Sequence, residues 1–359
     1  MTSFPLPPGS TIGVLGGGQL GRMLAEAASR LGFDVAVLER AADSPAGRIA
    51  AKTLVAPYDD EAALKALAEA SDVVTYEFEN VPAASLEALV RLGAEVAPGP
   101  KALSAAQDRV DEKTFLNAQG VATVAFAAAS TPAEAVQAVA KVGVPSLMKT
   151  RREGYDGKGQ RWVEHAADAE AAFQALGGRP VIVEAPADFV RELSVIAARG
   201  RNGAIVSYPL AENHHEGGIL RRTLAPAKTS PQLAEQAERI AAKALAGLDY
   251  VGVVGIELFE LPDGRLLVNE IAPRVHNTGH WTQDGCEVDQ FEQHIRAVAG
   301  WPLGPAAAIR EVEMLNLLGD EVDAWPKLAA EPETRVHLYG KRAAKPGRKM
   351  GHVNRLKPL

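Results

Sequence analysis

Cysteine is almost missing from this 359-residue chain: Cys286 stands alone, so no internal disulfide framework exists, and one thiol suits a reducing compartment such as the cytoplasm. Long apolar runs are missing too. None approaches the roughly 18 residues of a membrane span, and no membrane partner is expected. The opening MTSFPLPPGS has no basic segment leading into an apolar one, so export is not expected. Internal repeats and low-complexity tracts are absent. The hydrophobic fraction of 47% includes 64 alanines, which favours alanine-rich helices between strands. Acid is missing from one region only. From Arg335 to Leu359 there are eight Lys and Arg and no Asp or Glu, so a +8 tail follows 334 residues carrying −15, within a net charge of −7. Such a tail implies an anionic partner. It has no interleaved aromatics beyond Tyr339, and the acidic remainder would repel a polyanion, so a single small phosphate suits it better than nucleic acid.

At about 100 to 200 residues per domain, the length fits two or three domains. The first hundred residues alternate short β-branched runs with Ala/Leu-rich stretches: strands at Thr11–Leu15, Asp34–Leu38, Thr53–Ala56 and Asp72–Phe78, helices at Gln19–Leu31 and Ala62–Ala70. This pattern predicts a parallel α/β sheet ending near Pro98-Gly99-Pro100. A single helix is expected over Ala102–Gln119, then a lid-like subdomain at about 121–186 around a glycine-rich loop. An antiparallel α+β layer follows, with strands Arg191–Ala198 and Ala204–Leu210, a helix Pro231–Leu248, and two strands joined by Pro262-Asp263-Gly264. The expected domains are 1–101, 102–300 and 301–359.

Gly16-Gly17-Gly18-Gln19-Leu20-Gly21 follows a strand and opens a helix, with Glu39 at the end of the second strand. This satisfies the dinucleotide fingerprint, although the same turn occurs in doubly wound domains that bind no NAD. At the end of the fourth strand, Glu77 and Glu79 are in phase, which would put both carboxylates on one side to meet sugar hydroxyls; a solvated strand end is the plainer reading.

Lys149 leads into a loop carrying Gly154, Gly157 and Gly159, a composition that can close over phosphates but does not fit the Walker pattern. A two-residue turn at Asp263-Gly264 would pair residues whose numbers sum to 527, setting Glu257 opposite Glu270. Like charges there are destabilising, and a divalent cation would remove the conflict. Two carboxylates with the amide oxygen of Asn269 match Mg²⁺ rather than zinc. The loop Pro273-Arg274-Val275-His276-Asn277-Thr278-Gly279-His280 could orient a small anion; Pro273 and Gly279 argue against a helical histidine metal site.

Together the lysine-led glycine loop, the Asn-Glu pair, the Arg-x-His-Asn loop, Gly-Gly-Gln-Leu-Gly-Arg at 17–22 and Pro-Gly-Arg-Lys-Met-Gly-His at 346–352 resemble the ATP-grasp superfamily, and within it the 5-(carboxyamino)imidazole ribonucleotide synthases of purine synthesis. The resemblance implies an ATP-grasp fold with an N-terminal Rossmann-like domain and a small C-terminal β-rich domain. It implies ATP and Mg²⁺ as cofactors, 5-aminoimidazole ribonucleotide and bicarbonate as substrates, and a cytoplasmic homodimer. By resemblance Arg109, Lys149, the Gly154, Tyr155, Asp156, Gly157, Lys158, Gly159, Gln160 loop, Glu184, Ala185, Pro186, Ala187, Glu192 and His215 hold ATP, with Asn269 and Glu270 touching both ATP and the metal carried with Glu257. Gly18, Gln19, Leu20, Glu77, Tyr155, Arg274, His276, Lys341 and Arg348 belong to the substrate site, the last two at the 5′-phosphate. Asp156, Lys158, Arg274, His276 and Asn277 are the catalytic candidates, Asp156 as the base. A formate-dependent glycinamide ribonucleotide transformylase is the nearest alternative, and an NAD-linked oxidoreductase is the alternative of another class. Cys286 has no role in this chemistry.

Overall fold

The computed structural model describes residues 2–154 and 158–358. Four strands, β1 (Thr11–Leu15), β2 (Asp34–Glu39), β3 (Lys52–Val55) and β4 (Val73–Tyr76), form a parallel sheet in the order β3-β2-β1-β4. Ile12, Val14, Val35, Val37 and Val73 pack towards one layer, and Leu15, Ala36, Leu38, Val74 and Tyr76 towards the other, as expected of strands covered on both faces. The carboxyl ends of β1 and β4 bring Gly16–Gly18 beside Glu77.

The expected single helix over 102–119 is two, Pro100–Gln107 and Arg109–Ala118. Asp108 between them is extended (φ −123°, ψ 117°), and its carboxylate caps the second helix at the Val110 N–H, 3.0 Å away. The same carboxylate accepts from Arg151 Nε at 2.8 Å and Arg152 Nε at 3.2 Å. Capping and two cations offset the hydrogen bonds lost at the break, which Asp favours by its ability to bond the backbone outside a helix.

The lid is an antiparallel sheet of β5 (Phe126–Ala129), β6 (Ser146–Thr150), β7 (Gln160–Val163) and β8 (Val181–Glu184), ordered β5-β8-β6-β7. Ala135, Val139 and Phe173 from two helices pack on Met148, Val163 and Val183. The glycine-rich loop joins β6 to β7.

The third sheet has nine strands: β9 (Arg191–Arg199), β10 (Ile205–Ser207), β11 (Ala211–Glu216), β12 (Ile219–Ala225), β13 (Gly252–Glu260), β14 (Leu266–Ala272), β15 (Glu311–Leu318), β16 (Thr334–Leu338) and β17 (Lys349–Lys357). The order is β14-β13-β9-β11-β12-β15-β17-β16, with β10 pairing β9. The strand expected over Ala204–Leu210 is only β10, and β11 begins beyond it; Pro209, which has no N–H to give a ladder, lies in the interruption between them. Along β9, Leu193, Val195 and Ala197 meet the helix Pro231–Gly247, while Ile196 and Ala198 face the helix Gln290–Val298. The last three strands form no sheet of their own: β12 pairs with β15, as Arg222 opposite Leu315 shows, so the basic tail is built onto the main sheet.

Between β13 and β14, Gly255 faces Ala272, Ile256 faces Ile271 and Glu257 faces Glu270. The expected two-residue turn is not what connects them. Beyond Glu257 the register changes, with Leu258 opposite Val268 and Glu260 opposite Leu266. Leu261 N–H bonds Arg265 C=O at 2.9 Å across a three-residue loop whose Gly264 takes φ 79°. Asn269 is the extra residue on β14. This bulge absorbs the odd loop length and re-aims the Asn269 side chain towards Glu257.

Candidate active site

A cleft of about 400 Å³ lies between the lid and the nine-stranded sheet. Its floor is the bulged hairpin, where Glu257, Asn269 and Glu270 line one wall. Asn269 Nδ2 donates to Glu257 Oε2 at 3.4 Å, leaving the amide oxygen for another partner. Burial, with the charge of Glu270 next, pushes the Glu257 carboxyl up to about 7. Burial would raise Glu270 as well, but Arg109, 3.0 Å away, outweighs it and holds Glu270 low. Two apposed carboxylates with one short of a cationic partner, beside a hard amide oxygen, fit a divalent cation such as Mg²⁺.

The helix Arg109–Ala118 clamps this hairpin through three side chains on one face. Arg109 binds Glu270 and also donates to the Gly154 carbonyl at 2.8 Å, linking the hairpin to the glycine loop. Glu112 accepts the Ile271 N–H at 2.7 Å, and burial raises its carboxyl to about 8 against the pull of Lys113. Lys113, wholly buried, donates to the Asn269 carbonyl at 2.8 Å. Lys113 also approaches Glu184 of the lid at 3.3 Å, and Lys149 on β6 meets the other oxygen of Glu184 at 2.6 Å. Two lysines sharing one carboxylate leave a surplus positive charge suited to an anionic guest.

At the far end, His215 Nδ1 contacts Glu192, whose hydrogen bond raises the imidazole pKa despite burial. Phe189 stacks on Phe259 with centroids 4.6 Å apart, giving the cleft an apolar wall. At the near end, Arg274 forms an ion pair with Glu79, so Glu77 and Glu79 do not face one side as expected. Glu77 turns back under the glycine turn instead, accepting Gly18 N–H at 2.5 Å and Gly21 N–H at 2.7 Å. Glu39 takes the Gly17 N–H at 2.6 Å. The donors that a pyrophosphate would use are therefore occupied by carboxylates, which counts against the dinucleotide reading.

His276 Nδ1 receives the Thr278 N–H at 3.4 Å and lies 2.9 Å from Thr278 Oγ1, so its ring proton sits on Nε2, 3.8 Å from Glu257. Burial and then Arg274 lower its pKa to about 3. A neutral imidazole with Nε2–H on the cleft lining is a hydrogen-bond donor. Asn277 makes a reciprocal amide pair with Asn316 on β15, at 3.0 and 2.9 Å. His280 bonds Gln290 at 3.0 Å, away from any metal geometry with His276. Among the described residues no group of three or more His, Cys, Asp or Glu could hold a metal ion.

The cleft thus gathers Arg109, Lys149, Gly154, Lys158, Gln160, Glu192, His215, Glu257, Asn269, Glu270, Arg274, His276 and Asn277. Gly159, with φ 70°, closes the β6–β7 loop, its carbonyl accepting Thr150 N–H at 2.8 Å. Glu184 reaches the site through its lysines, and Ala185 N–H bonds Ala125 C=O at 2.8 Å; Glu184, Ala185, Pro186 and Ala187 do not line the cleft. Tyr155, Asp156 and Gly157 lie outside the described residues. Gly18, Gln19, Leu20, Glu77, Lys341 and Arg348 stand apart from the cleft lining. Lys341 donates to the Lys349 carbonyl at 2.6 Å, and burial followed by the charge of Arg348 lowers it to about 8, with Glu77 opposing. Arg348 donates to the Ala343 carbonyl at 2.8 Å. The two cations and Glu77 are close enough to feel one another. Residues missed in the sequence are Glu112, Lys113, Gln290, Asn316 and Lys349, of which Glu112 and Lys349 line the cleft. Cys286 is buried in the core against Ala306.

An antiparallel lid bearing Lys149 above a larger sheet bearing apposed carboxylates, behind a parallel domain, defines an ATP-grasp ligase. Domain families divide the chain in the same sense: residues 10–107 match the ribonucleotide synthetase preATP-grasp domain, 114–291 the ATP-grasp domain and 313–358 the phosphoribosylaminoimidazole carboxylase C-terminal domain. The N5-carboxyaminoimidazole ribonucleotide synthase of Brucella melitensis is 49% identical over 100% of this chain and 99% of its own. An N5-carboxyaminoimidazole ribonucleotide synthetase solved as its ADP complex superposes with a TM-score of 0.95 at 39% identity, covering 99% of this chain and 94% of that one. The Aspergillus clavatus N5-carboxyaminoimidazole synthase, solved with ADP and 5-aminoimidazole ribonucleotide, gives 0.90 at 36%, covering 98% and 94%. The chain belongs to the N5-carboxyaminoimidazole ribonucleotide synthase family.

Proposed function

We propose that the cleft joins bicarbonate to the exocyclic amine of 5-aminoimidazole ribonucleotide at the expense of ATP, giving the N5-carboxy product, ADP and phosphate. The observation that carries this reading is the apposition of Glu257 and Glu270 in a cleft that Lys149 and Arg109 also line, a metal-suited carboxylate floor accompanied by two cations. A bicarbonate oxygen attacks the γ-phosphorus and ADP leaves, forming carboxyphosphate; Lys149 and Arg109 offset the charge of that anionic encounter. Glu257, Asn269 and Glu270 would hold Mg²⁺, which neutralises phosphate oxygens. The amine nitrogen then bonds the carboxyl carbon, or the CO₂ released from it, phosphate departs, and a base takes the amine proton. Asp156 is the proposed base, with Lys158 beside it in sequence. His276 donates from Nε2 to an anionic oxygen of the intermediate, and Asn277 orients it. The loop 154–160 keeps water from carboxyphosphate, with Glu192, His215 and the 184–187 segment on the nucleotide side. Lys341 and Arg348 receive the ribonucleotide 5′-phosphate, with Gly18–Leu20 and Glu77 near its sugar.

No helix among the described residues is long and apolar enough to cross a membrane. We place the enzyme in the cytoplasm, on its single buried thiol, and as a homodimer, on family likeness; analytical ultracentrifugation checks the latter. ADP formation is measured with ATP and Mg²⁺, adding bicarbonate and 5-aminoimidazole ribonucleotide singly and together. The full rate is expected only with both, and a rate indifferent to both contradicts the proposal.

A further inference from the structure

We propose that Gln290 is a positioning residue for this reaction: its carboxamide clamps the main chain of His276 and thereby fixes where the His276 imidazole meets the cleft. Gln290 opens the helix Gln290–Val298 and is fully buried. Its Oε1 accepts the His276 N–H at 2.8 Å and its Nε2 donates to the His276 carbonyl at 2.7 Å. The second Nε2 hydrogen goes to His280 Nδ1 at 3.0 Å, which leaves the His280 proton on Nε2. A backbone N–H only donates and a carbonyl only accepts, so these partners fix the amide orientation. One side chain bonds both main-chain polar groups of a residue that lies outside any strand or helix, and the His276 carbonyl also accepts the Gly279 N–H at 3.0 Å.

The surroundings leave His276 little room to be elsewhere. On β13, a Cβ at Gly255 would fall 2.5 Å from the His276 Cβ, so the imidazole lies directly against bare backbone. A Cβ at Gly279 would fall 2.6 Å from Gln290 Oε1, so the loop closes tightly over the clamp. Thr282 Oγ1 donates to the Gly279 carbonyl at 2.6 Å and accepts the Gln290 N–H at 3.0 Å, which ties the loop to the helix start. The same helix reaches the parallel domain through His294 and Thr75, 2.8 Å apart, and through Asp289 and Arg30 at 2.7 Å. His276 therefore takes its position from a helix braced against two domains. Displacing a reacting group by an ångström can cost about 100-fold in rate, so this clamp matters without touching substrate.

The inference rests on the reading of His276 as a donor in the substrate site. A double-mutant cycle tests it, with kcat and KM for 5-aminoimidazole ribonucleotide and for ATP measured in the intact enzyme, His276→Ala, Gln290→Ala and the double variant. His276→Ala is expected to lower kcat on the order of 10- to 100-fold. Gln290→Ala is expected to lower kcat about tenfold with the KM for ATP unchanged, and to add less than about twofold when His276 is already Ala. Independent, multiplying effects overturn the inference while the reading of His276 stands. Wild-type kinetics in His276→Ala overturns that reading, and the inference with it. Should Gln290→Ala not fold, Gln290→Glu serves in the same cycle: its carboxylate still accepts the His276 N–H but cannot donate to the His276 carbonyl. Undiminished kcat in Gln290→Glu overturns the inference.

Discussion

Lys113 Nζ bonds the carbonyl oxygen of Asn269 at 2.8 Å, so a buried lysine holds the bulge that turns Asn269 towards Glu257. The same ammonium lies 3.3 Å from Glu184 on the lid. One side chain thus joins the proposed metal floor to the lid strand beside the glycine loop.

Lys113→Met should therefore cost more than an ordinary core change. It leaves a bulge carbonyl without its donor and Glu184 with Lys149 alone, a loss of about 3 kcal/mol in stability. Chemical denaturation measures the loss. The KM for ATP should rise in parallel, because the lid and floor lose their shared anchor.

The glycine turn should not bind a dinucleotide. Its Gly17, Gly18 and Gly21 N–H groups are bonded to Glu39 and Glu77, and these acids would meet a pyrophosphate with like charge. In a thermal-shift assay NAD should leave Tm unchanged while ATP with Mg²⁺ raises it. Stabilisation by NAD at micromolar concentration would contradict this assignment.

Acid should loosen the contact between the parallel domain and the large sheet. His294 is buried without exposure, accepts the Val253 N–H on Nδ1 at 3.1 Å, and faces Thr75 with Nε2. Burial lowers its pKa to about 3, below the unfolded value near 6.5. The folded state keeps it neutral, so its contribution is complete above pH 6.5 and is lost as pH falls towards 3, by about 1.4 kcal/mol per unit in that window. Stability of the wild type and of His294→Gln, followed from pH 7 to pH 5, should show a shallower decline in the variant. Equal slopes would contradict the assignment.

Cys286→Ser should retain activity, and the thiol should resist alkylation in the native state. Burial, then Asp289, pushes its pKa up to about 12, and its sulfur faces the Ala306 carbonyl in the core. Loss of turnover with an intact fold would show a role that the geometry does not give it.

What was legible in the sequence was local. Alternation located the strands of the parallel domain within a residue or two, and antiparallel arithmetic set Glu257 opposite Glu270 although the turn was three residues and a bulge made up the difference. That pairing survives because a one-residue error in the loop was absorbed between the turn and the acids. The break at Asp108 was not legible: Ala102 to Gln119 is favourable for one helix, and the arginines that stabilise the break lie more than 40 residues away. With the helix drawn whole, the shared face of Arg109, Glu112 and Lys113 had no evident partner. Lys113 meets a residue 156 positions away, Asn316 one 39 away and Gln290 one 14 away, separations that no periodicity encodes. A signal did exist in Glu112-Lys113, adjacent charges on a helix whose neighbours include Phe115 and Leu116. Glu77 and Glu79 diverged because the strand stops at Tyr76, where strict alternation ends.

The most direct test of the account is isotopic. Bicarbonate labelled with ¹⁸O is supplied with ATP, Mg²⁺ and 5-aminoimidazole ribonucleotide, and the released phosphate is analysed by mass spectrometry. Attack by a bicarbonate oxygen on the γ-phosphorus requires one labelled oxygen in the phosphate of each turnover. Phosphate that takes its new oxygen from water, while the carboxylated product still forms, would contradict a cleft built to make carboxyphosphate.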